Sequence, residues 1–74
     1  MKKFIIALLN TYFLNSLYGK LTPEKLRTFT SNTFLVKEEE KTNDCATIRV
    51  NDTIIIYMYL TPHGYVKKID VEEI

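Results

Sequence analysis

Two asparagines and one histidine are the residues of this 74-residue chain whose positions point to chemistry. Asn10 stops the apolar run of residues 4–9, and Asn15 follows five residues later. A polar amide beside an apolar element forms a turn, caps an element or binds a ligand, and its paired donor and acceptor suit a nucleobase edge or a ribose hydroxyl. His63, the only histidine, could bind a phosphate or act as a general acid or base. The competing interpretation is structural: Asn10 forms a turn and His63 is an exposed loop residue.

The segment that carries the asparagines fits two secondary structures. Its apolar residues fit one face of a helix, yet residues 3–9 also have the length of a strand buried on both faces. We favour a strand over residues 3–9, because Asn10-Thr11 ends the run sharply and weak helix formers follow. Residues 12–19 would then form a loop or a single turn.

The next segment predicts a short helix. Thr22 suits the N-cap, Pro23 the first helical position and Glu24 the first turn. Several poor helix formers after residue 27 shorten the element. Its buried face should include Leu26, Phe29 and Thr30.

The second half predicts a meander of strands. We expect strands over residues 33–38, 46–50, 53–60 and 65–69, with a two-residue hairpin turn at Asn51-Asp52. Asp70 would cap a last helical turn over residues 71–74. The chain is therefore expected to be a single α+β domain over residues 1–74. Its sheet would be four- to five-stranded and mixed but largely antiparallel, with one or two short helices on one face.

The predicted strand over residues 53–60 is apolar on both faces. Even-numbered positions line one face, and Ile55, Tyr57 and Tyr59 line the other. One short helix covers only one face, and 46% of this small chain is apolar. We therefore expect a second copy of the chain as a partner, in a homodimer or a larger assembly.

The composition narrows the classes of partner and chemistry. The net charge is +1 without a basic block, so duplex nucleic acid is not an expected partner. The single cysteine, Cys45, has no cysteine neighbour for a disulfide or a metal site and no nearby cation to activate its thiol. We expect no metal and no cofactor. The acidic clusters at residues 38–40 and 72–73 are typical of a solvated face.

The N-terminus imitates a signal peptide, with Lys2-Lys3 before an apolar run. The run is only six residues long, and no small-x-small cleavage motif follows it. No stretch reaches the roughly 20 apolar residues of a transmembrane helix. The expectation is a cytoplasmic protein without a membrane partner.

Several short segments occur in an order that resembles a known family. Leu8-Leu9-Asn10-Thr11 and then Tyr18-Gly19 open the chain, a helix over residues 22–29 follows, and three segments close it: Ile48-Arg49-Val50, Gly64-Tyr65-Val66 and Val71-Glu72-Glu73-Ile74. This order is similar to that of the small viral ring-nuclease anti-CRISPR family and its uncharacterised phage and mobile-element relatives. In that family the first strand ends in an asparagine-containing turn, and a closing hairpin leads to an acidic helix start.

One element of the family is missing here. The family carries a Gly-His-x-Ser-Thr motif whose histidine is catalytic, whereas Phe34-Leu35-Val36 here runs directly into Lys37-Glu38-Glu39-Glu40. The chain therefore resembles a shortened member without the catalytic histidine segment. The resemblance implies no catalytic residue at that position, so an enzymatic activity is not the leading expectation.

The resemblance implies a signalling nucleotide bound across a two-fold subunit interface. The ligand-binding residues it implies are Asn10, Thr11, Asn15, Tyr18 and His63. The leading hypothesis is a viral or mobile-element protein, cytoplasmic in the host cell, that sequesters a host-defence nucleotide without cleaving it. Two alternatives stay open. One is a protein-binding inhibitor of a host or defence enzyme that acts through an exposed strand or apolar patch. The other is a ring nuclease with chemistry centred on His63.

Overall fold

The computed structural model describes residues 2–14 and 20–74, with only the backbone described at Glu38 and Glu39. Within these described residues, two helices precede four strands. They are α1 (Lys2–Leu14), α2 (Pro23–Ser31), β1 (Val36–Lys41), β2 (Cys45–Val50), β3 (Ile54–Leu60) and β4 (Val66–Glu73). The strands lie in chain order, and every neighbouring pair is antiparallel. This arrangement confirms the predicted α+β class with a largely antiparallel sheet.

The predicted strand over residues 3–9 is wrong, because α1 runs without a break through Asn10 to Leu14. Ile5 and Leu9, four residues apart on one helical face, are fully buried. Tyr12 and Phe13 continue that face and pack against the core. Asn10 lies on the exposed side of the helix, where a polar residue does not end it. Residues 12–14 are therefore helix as well, not loop.

The structure confirms the predicted start of α2. The Thr22 side chain accepts a hydrogen bond from the Lys25 backbone N–H at 3.3 Å, and Pro23 occupies the first turn. Leu26 and Thr30 are fully buried, with the Thr30 hydroxyl donating to the Leu26 carbonyl at 2.7 Å. The helix ends at Ser31, as the weak helix formers indicated.

Two strands differ from their predicted bounds by more than one residue: β1 spans Val36–Lys41 rather than residues 33–38, and β4 extends beyond residue 69. The first strand begins at Val36 rather than residue 33, because α2 and the turn after it extend to Phe34. The last strand continues to Glu73, so the helical turn predicted over residues 71–74 is wrong. Val71 pairs with Ile56 and is buried in the core, which holds this segment in the sheet.

The turn between β2 and β3 has the predicted positive φ at Asn51 and Asp52, 51° and 64°. The loop is one residue longer than predicted, because Val50 pairs with Ile54 and Thr53 also lies outside the strands. The Asn51 side chain also accepts a hydrogen bond from the Leu35 N–H at 3.2 Å. At the other end of β3, Gly64 provides the positive φ of 87° that closes the turn into β4.

Among the described residues, the hydrophobic core lies on one face of the sheet. Even-numbered residues of β2 and β3 point into it and meet Ile5 and Leu9 from α1 and Leu26 from α2. Both helices therefore cover the same face. The opposite face of the sheet carries the odd-numbered residues of these two strands.

Candidate functional site

Two of the predicted ligand-binding residues lie on the exposed side of α1. Asn10 and Thr11 are both solvent-exposed. The Thr11 hydroxyl donates to the Ala7 carbonyl at 2.8 Å, a bond within the helix. The sequence expectation placed these side chains in a rigid turn at the end of a strand. The structure places them in the middle and last turn of a helix.

Two further predicted residues, Asn15 and Tyr18, lie outside the residues that the structure describes. Their proposed contacts with a ligand stay predictions.

His63 lies in the turn between β3 and β4 and is exposed. It borders a groove of about 620 Å³ between this turn and the turn after β1. The groove lining mixes Lys41 and Lys67 with Asp44, and neither Asn10 nor Thr11 contributes to it. The structure therefore does not bring His63 and the α1 residues together into one cavity.

The sheet surface opposite the helices is the most distinctive surface of the molecule, and we call it the open face. Its described side chains are those of Glu40, Cys45, Thr47, Arg49, Ile55, Tyr57, Tyr59, Lys68, Asp70 and Glu72, placed by strand register and by the alternation of buried residues. Its centre is a strip of three β3 residues, Ile55, Tyr57 and Tyr59. All three are half-buried although neither described helix covers them.

Charged side chains of β4 hold the two tyrosines of the strip. The Tyr57 hydroxyl donates to the Glu72 carboxylate at 3.4 Å. Partial burial raises the pKa of Tyr57, and the negative charge of Glu72 raises it further. The Lys68 ammonium lies 5.6 Å from the centre of the Tyr59 ring, within the range of a cation–π contact. These contacts keep both rings within the open face rather than extended into solvent.

A shallow depression of about 200 Å³ lies beside the strip. Thr47, Arg49 and Tyr57 line it, together with Ile55 and Glu40. A hydroxyl, a guanidinium and an aromatic ring thus lie side by side. This set can contact a planar polar group, although the Glu40 carboxylate would repel a phosphate placed next to it.

Sequence reasoning anticipated only part of this surface. The alternation in β3 predicted that Ile55, Tyr57 and Tyr59 share one face and that a helix covers only one of the two faces, but not which face stays uncovered. Tyr57 and Tyr59 were not among the predicted site residues. One sequence signal could have indicated this surface: two tyrosines alternate with the core residues of β3.

Within residues 2–14 and 20–74, no three histidine, cysteine or acidic side chains gather into a group that could hold a metal ion. Neither described helix combines the length and apolar character needed to cross a bilayer.

Comparisons with protein-family models, with curated proteins and with solved structures found no match to this chain. The relationship to the ring-nuclease anti-CRISPR family stays a prediction from short sequence segments. One of these segments, Leu8–Thr11, lies inside α1 rather than at the end of a strand.

Proposed function

We propose that this protein is a binding protein whose working surface is the open face, and that its partner is a protein surface. The observation that supports this most strongly is the uncovered strip of Ile55, Tyr57 and Tyr59. An apolar and aromatic centre surrounded by charged side chains is the composition of a protein–protein interface. The proposal shares one feature with the sequence-based alternative of an inhibitor, which is that an apolar patch binds protein.

The charges around the strip favour a protein partner over a nucleic acid. Arg49 and Lys68 supply positive charge, whereas Glu40, Asp70 and Glu72 supply negative charge on the same face. A nucleic-acid surface would need a mainly basic face to neutralise phosphates. A protein partner can match both signs.

Site-specific photo-crosslinking in cells tests this proposal. A photo-reactive phenylalanine analogue replaces Asp70, an exposed residue of the open face, and in a matched variant it replaces Lys25, an exposed residue of α2. We expect covalent protein adducts at position 70 that disappear when Tyr57 and Tyr59 are both changed to Ser. Position 25 should give none. No adduct at position 70, or equal adducts at both positions, would contradict the proposal.

A second candidate function is nucleotide sequestration, the leading hypothesis from the sequence. The observation that favours it is the depression lined by Thr47, Arg49 and Tyr57, whose ring could stack on a base while the guanidinium contacts a polar edge. If the open face meets another subunit, this depression lies between subunits. The host-defence context and the cytoplasmic location of this candidate are supported by the family resemblance alone.

Thermal unfolding in the presence of cyclic oligonucleotides tests the second candidate. A bound nucleotide should raise the midpoint of unfolding in proportion to the logarithm of its concentration. Arg49→Met should remove that increase, whereas Asn10→Ala should retain it, because Asn10 does not line the depression. The opposite pattern would move the binding site to α1.

A further inference from the structure

The open face is complementary to itself, and we infer that its partner is a second copy of this chain, related by a two-fold axis that runs parallel to β3. This inference rests on the proposed function, which makes the open face a binding surface, and it identifies the protein that the surface binds. The argument comes from the positions of charges across three rows of paired residues.

Each row crosses the sheet from β2 through β3 to β4. Ile55 stands between Arg49 on β2 and Glu72 on β4. Tyr57 stands between Thr47 and Asp70, and Tyr59 stands between Cys45 and Lys68 in the other two rows. The first row therefore has a cation at one end and an anion at the other, with an apolar residue at its centre.

A two-fold axis along β3 places each row opposite the same row of the second copy. The β2 end of the row then faces the β4 end of its counterpart. Arg49 then faces the partner copy's Glu72 on both sides of the axis, and the β3 residues face their own counterparts along it. Two opposite-charge contacts and a continuous apolar strip result. In the second row the neutral hydroxyl of Thr47 faces the carboxylate of the partner's Asp70.

The perpendicular axis within the sheet plane gives a worse match. It would reverse the levels along the strand, so that the middle row meets itself. The outer rows would exchange places, so that Glu72 would face the partner's Lys68 on both sides, which equals the two opposite-charge contacts of the axis along β3. In the middle row, however, Asp70 would face its own counterpart, and so would Glu40, which pairs with Thr47. Like charges brought together at an interface are costly, and this arrangement contains two such contacts. The charge pattern therefore selects the axis along β3.

The face is large enough for a modest interface. Four strands about 4.8 Å apart, with about seven residues at a rise of about 3.3 Å, make a face roughly 20 Å on each side. Aligned sheets pack with their strands about 30° apart, which displaces Arg49 and Glu72 by roughly 4 Å from exact superposition. A long arginine side chain spans that displacement. An interface of this size lies at the lower end of specific association, so the dimer should dissociate on dilution.

Mixing two charge-reversal variants tests the inference. Arg49→Glu alone places two acidic residues opposite each other at both contacts, and Glu72→Arg alone places two basic residues there. Sedimentation velocity should show each variant as a monomer at concentrations where the wild type dimerises, with the dissociation constant raised about tenfold or more. An equimolar mixture should form a heterodimer, because each mixed contact again joins opposite charges. Neither variant carries both changes, so a dimer restored in the mixture must come from contacts between the two different chains.

Controls separate the inference from the proposed function. Lys25→Glu reverses a charge on α2 and should leave dimerisation unchanged, and circular dichroism should show every variant folded. A wild type that stays monomeric at all concentrations would overturn the second copy as partner. Cross-links from position 70 to a different protein would then still support the open face as a binding surface. Single variants that dimerise like the wild type would overturn the proposed axis.

Discussion

The ring of Tyr12 stacks on the ring of Phe29, with centroids 4.0 Å apart and planes within 5° of parallel. The contact joins the last turns of α1 and α2, two elements that meet the core on the same side of the sheet. Tyr12 therefore fixes the position of α1 through a partner 17 residues away in the chain. The stack is a part of the fold that local sequence pattern could not reveal.

The first prediction concerns this stack. Tyr12→Ala should lower the free energy of unfolding by about 1–3 kcal/mol, because it removes both a half-buried side chain and an aromatic pair. Leu14→Ala is the matched control in the same helix, since Leu14 is 80% exposed, and it should change stability by less than about 0.5 kcal/mol. Urea unfolding of both variants measures the difference. Equal losses would show that the stack does not hold α1.

The stack also helps to explain why the strand prediction over residues 3–9 is wrong. The apolar run by itself fits a strand as well as a helix. Tyr12 and Phe13, whose packing favours the helix, come after Asn10. Their partners lie in other elements. The cap at Thr22 and the positive φ of Asn51 and Asp52 were predicted correctly because each depends on adjacent residues. Which face of the sheet stays open depends on where both helices pack, so the candidate site could not be located from β3 alone.

The second prediction compares the two faces of β3 at neighbouring positions. Ile56 is fully buried in the core, and Ile55 is half-buried on the open face. Ile56→Val should lower the free energy of unfolding by about 0.5–1.5 kcal/mol. Ile55→Val should lower that of the dilute monomer by clearly less. Chemical unfolding at low protein concentration measures both, and a larger loss for Ile55→Val would mean that the core is on the other face.

The third prediction concerns the hairpin turn at Asp52, whose φ is 64°. Asp52→Val should destabilise the protein by about 1–2 kcal/mol relative to Asp52→Gly, because a β-branched residue is strained at positive φ and glycine is not. Both variants lose the exposed ion pair with Lys37, which has an N···O distance of 2.9 Å, so its contribution cancels in the comparison. Thermal unfolding of the two variants should show the difference. Equal stability would contradict the strained conformation.

The fourth prediction is a pH dependence from Glu24 in the first turn of α2. A hydrogen bond from its own backbone N–H and one from Lys41 lower the pKa of its carboxyl below the ordinary value of 4.5. A lowered folded-state pKa means that the stabilisation is complete above the ordinary value and is lost as the pH falls through the folded-state pKa. Glu24 and Lys41 are both well exposed, so solvent screening limits the effect to less than about 1 kcal/mol.

Urea unfolding at neutral pH and again below pH 4 measures this effect. Glu24→Gln should lower the free energy of unfolding at neutral pH and bring it closer to that of the wild type in acid. Lys25→Met, a neighbouring exposed position on α2, should leave the wild-type difference between the two pH values in place. If the free energy of unfolding changes with pH equally in the wild type and in Glu24→Gln, Glu24 is not the source of the pH dependence.

The last prediction joins the raised pKa of Tyr57 to self-association. Partial burial raises this pKa above its ordinary value of 10.0, and the carboxylate of Glu72 adds to the shift, so the folded protein favours the neutral hydroxyl. The stabilisation is present below the ordinary value and is lost as the pH rises through the folded-state pKa. With the two-fold axis along β3, each Tyr57 faces its counterpart. Two phenolates would then repel each other, with Asp70 and Glu72 adding negative charge and Arg49 offsetting part of it.

The dimer should therefore stay intact up to the ordinary pKa of 10.0 and dissociate as the pH rises above it, through the raised folded-state pKa of Tyr57. Absorbance at 295 nm follows phenolate formation, and sedimentation velocity follows the dimer. Tyr57→Phe should keep the dimer together over more of this range, because phenylalanine fills the same space without a titrating hydroxyl. Tyr65→Phe is the matched control, a half-buried tyrosine in the turn before β4, and it should dissociate like the wild type. If Tyr57→Phe also dissociates like the wild type, Tyr57 does not face its counterpart across the axis, and the proposed arrangement of the two copies is wrong.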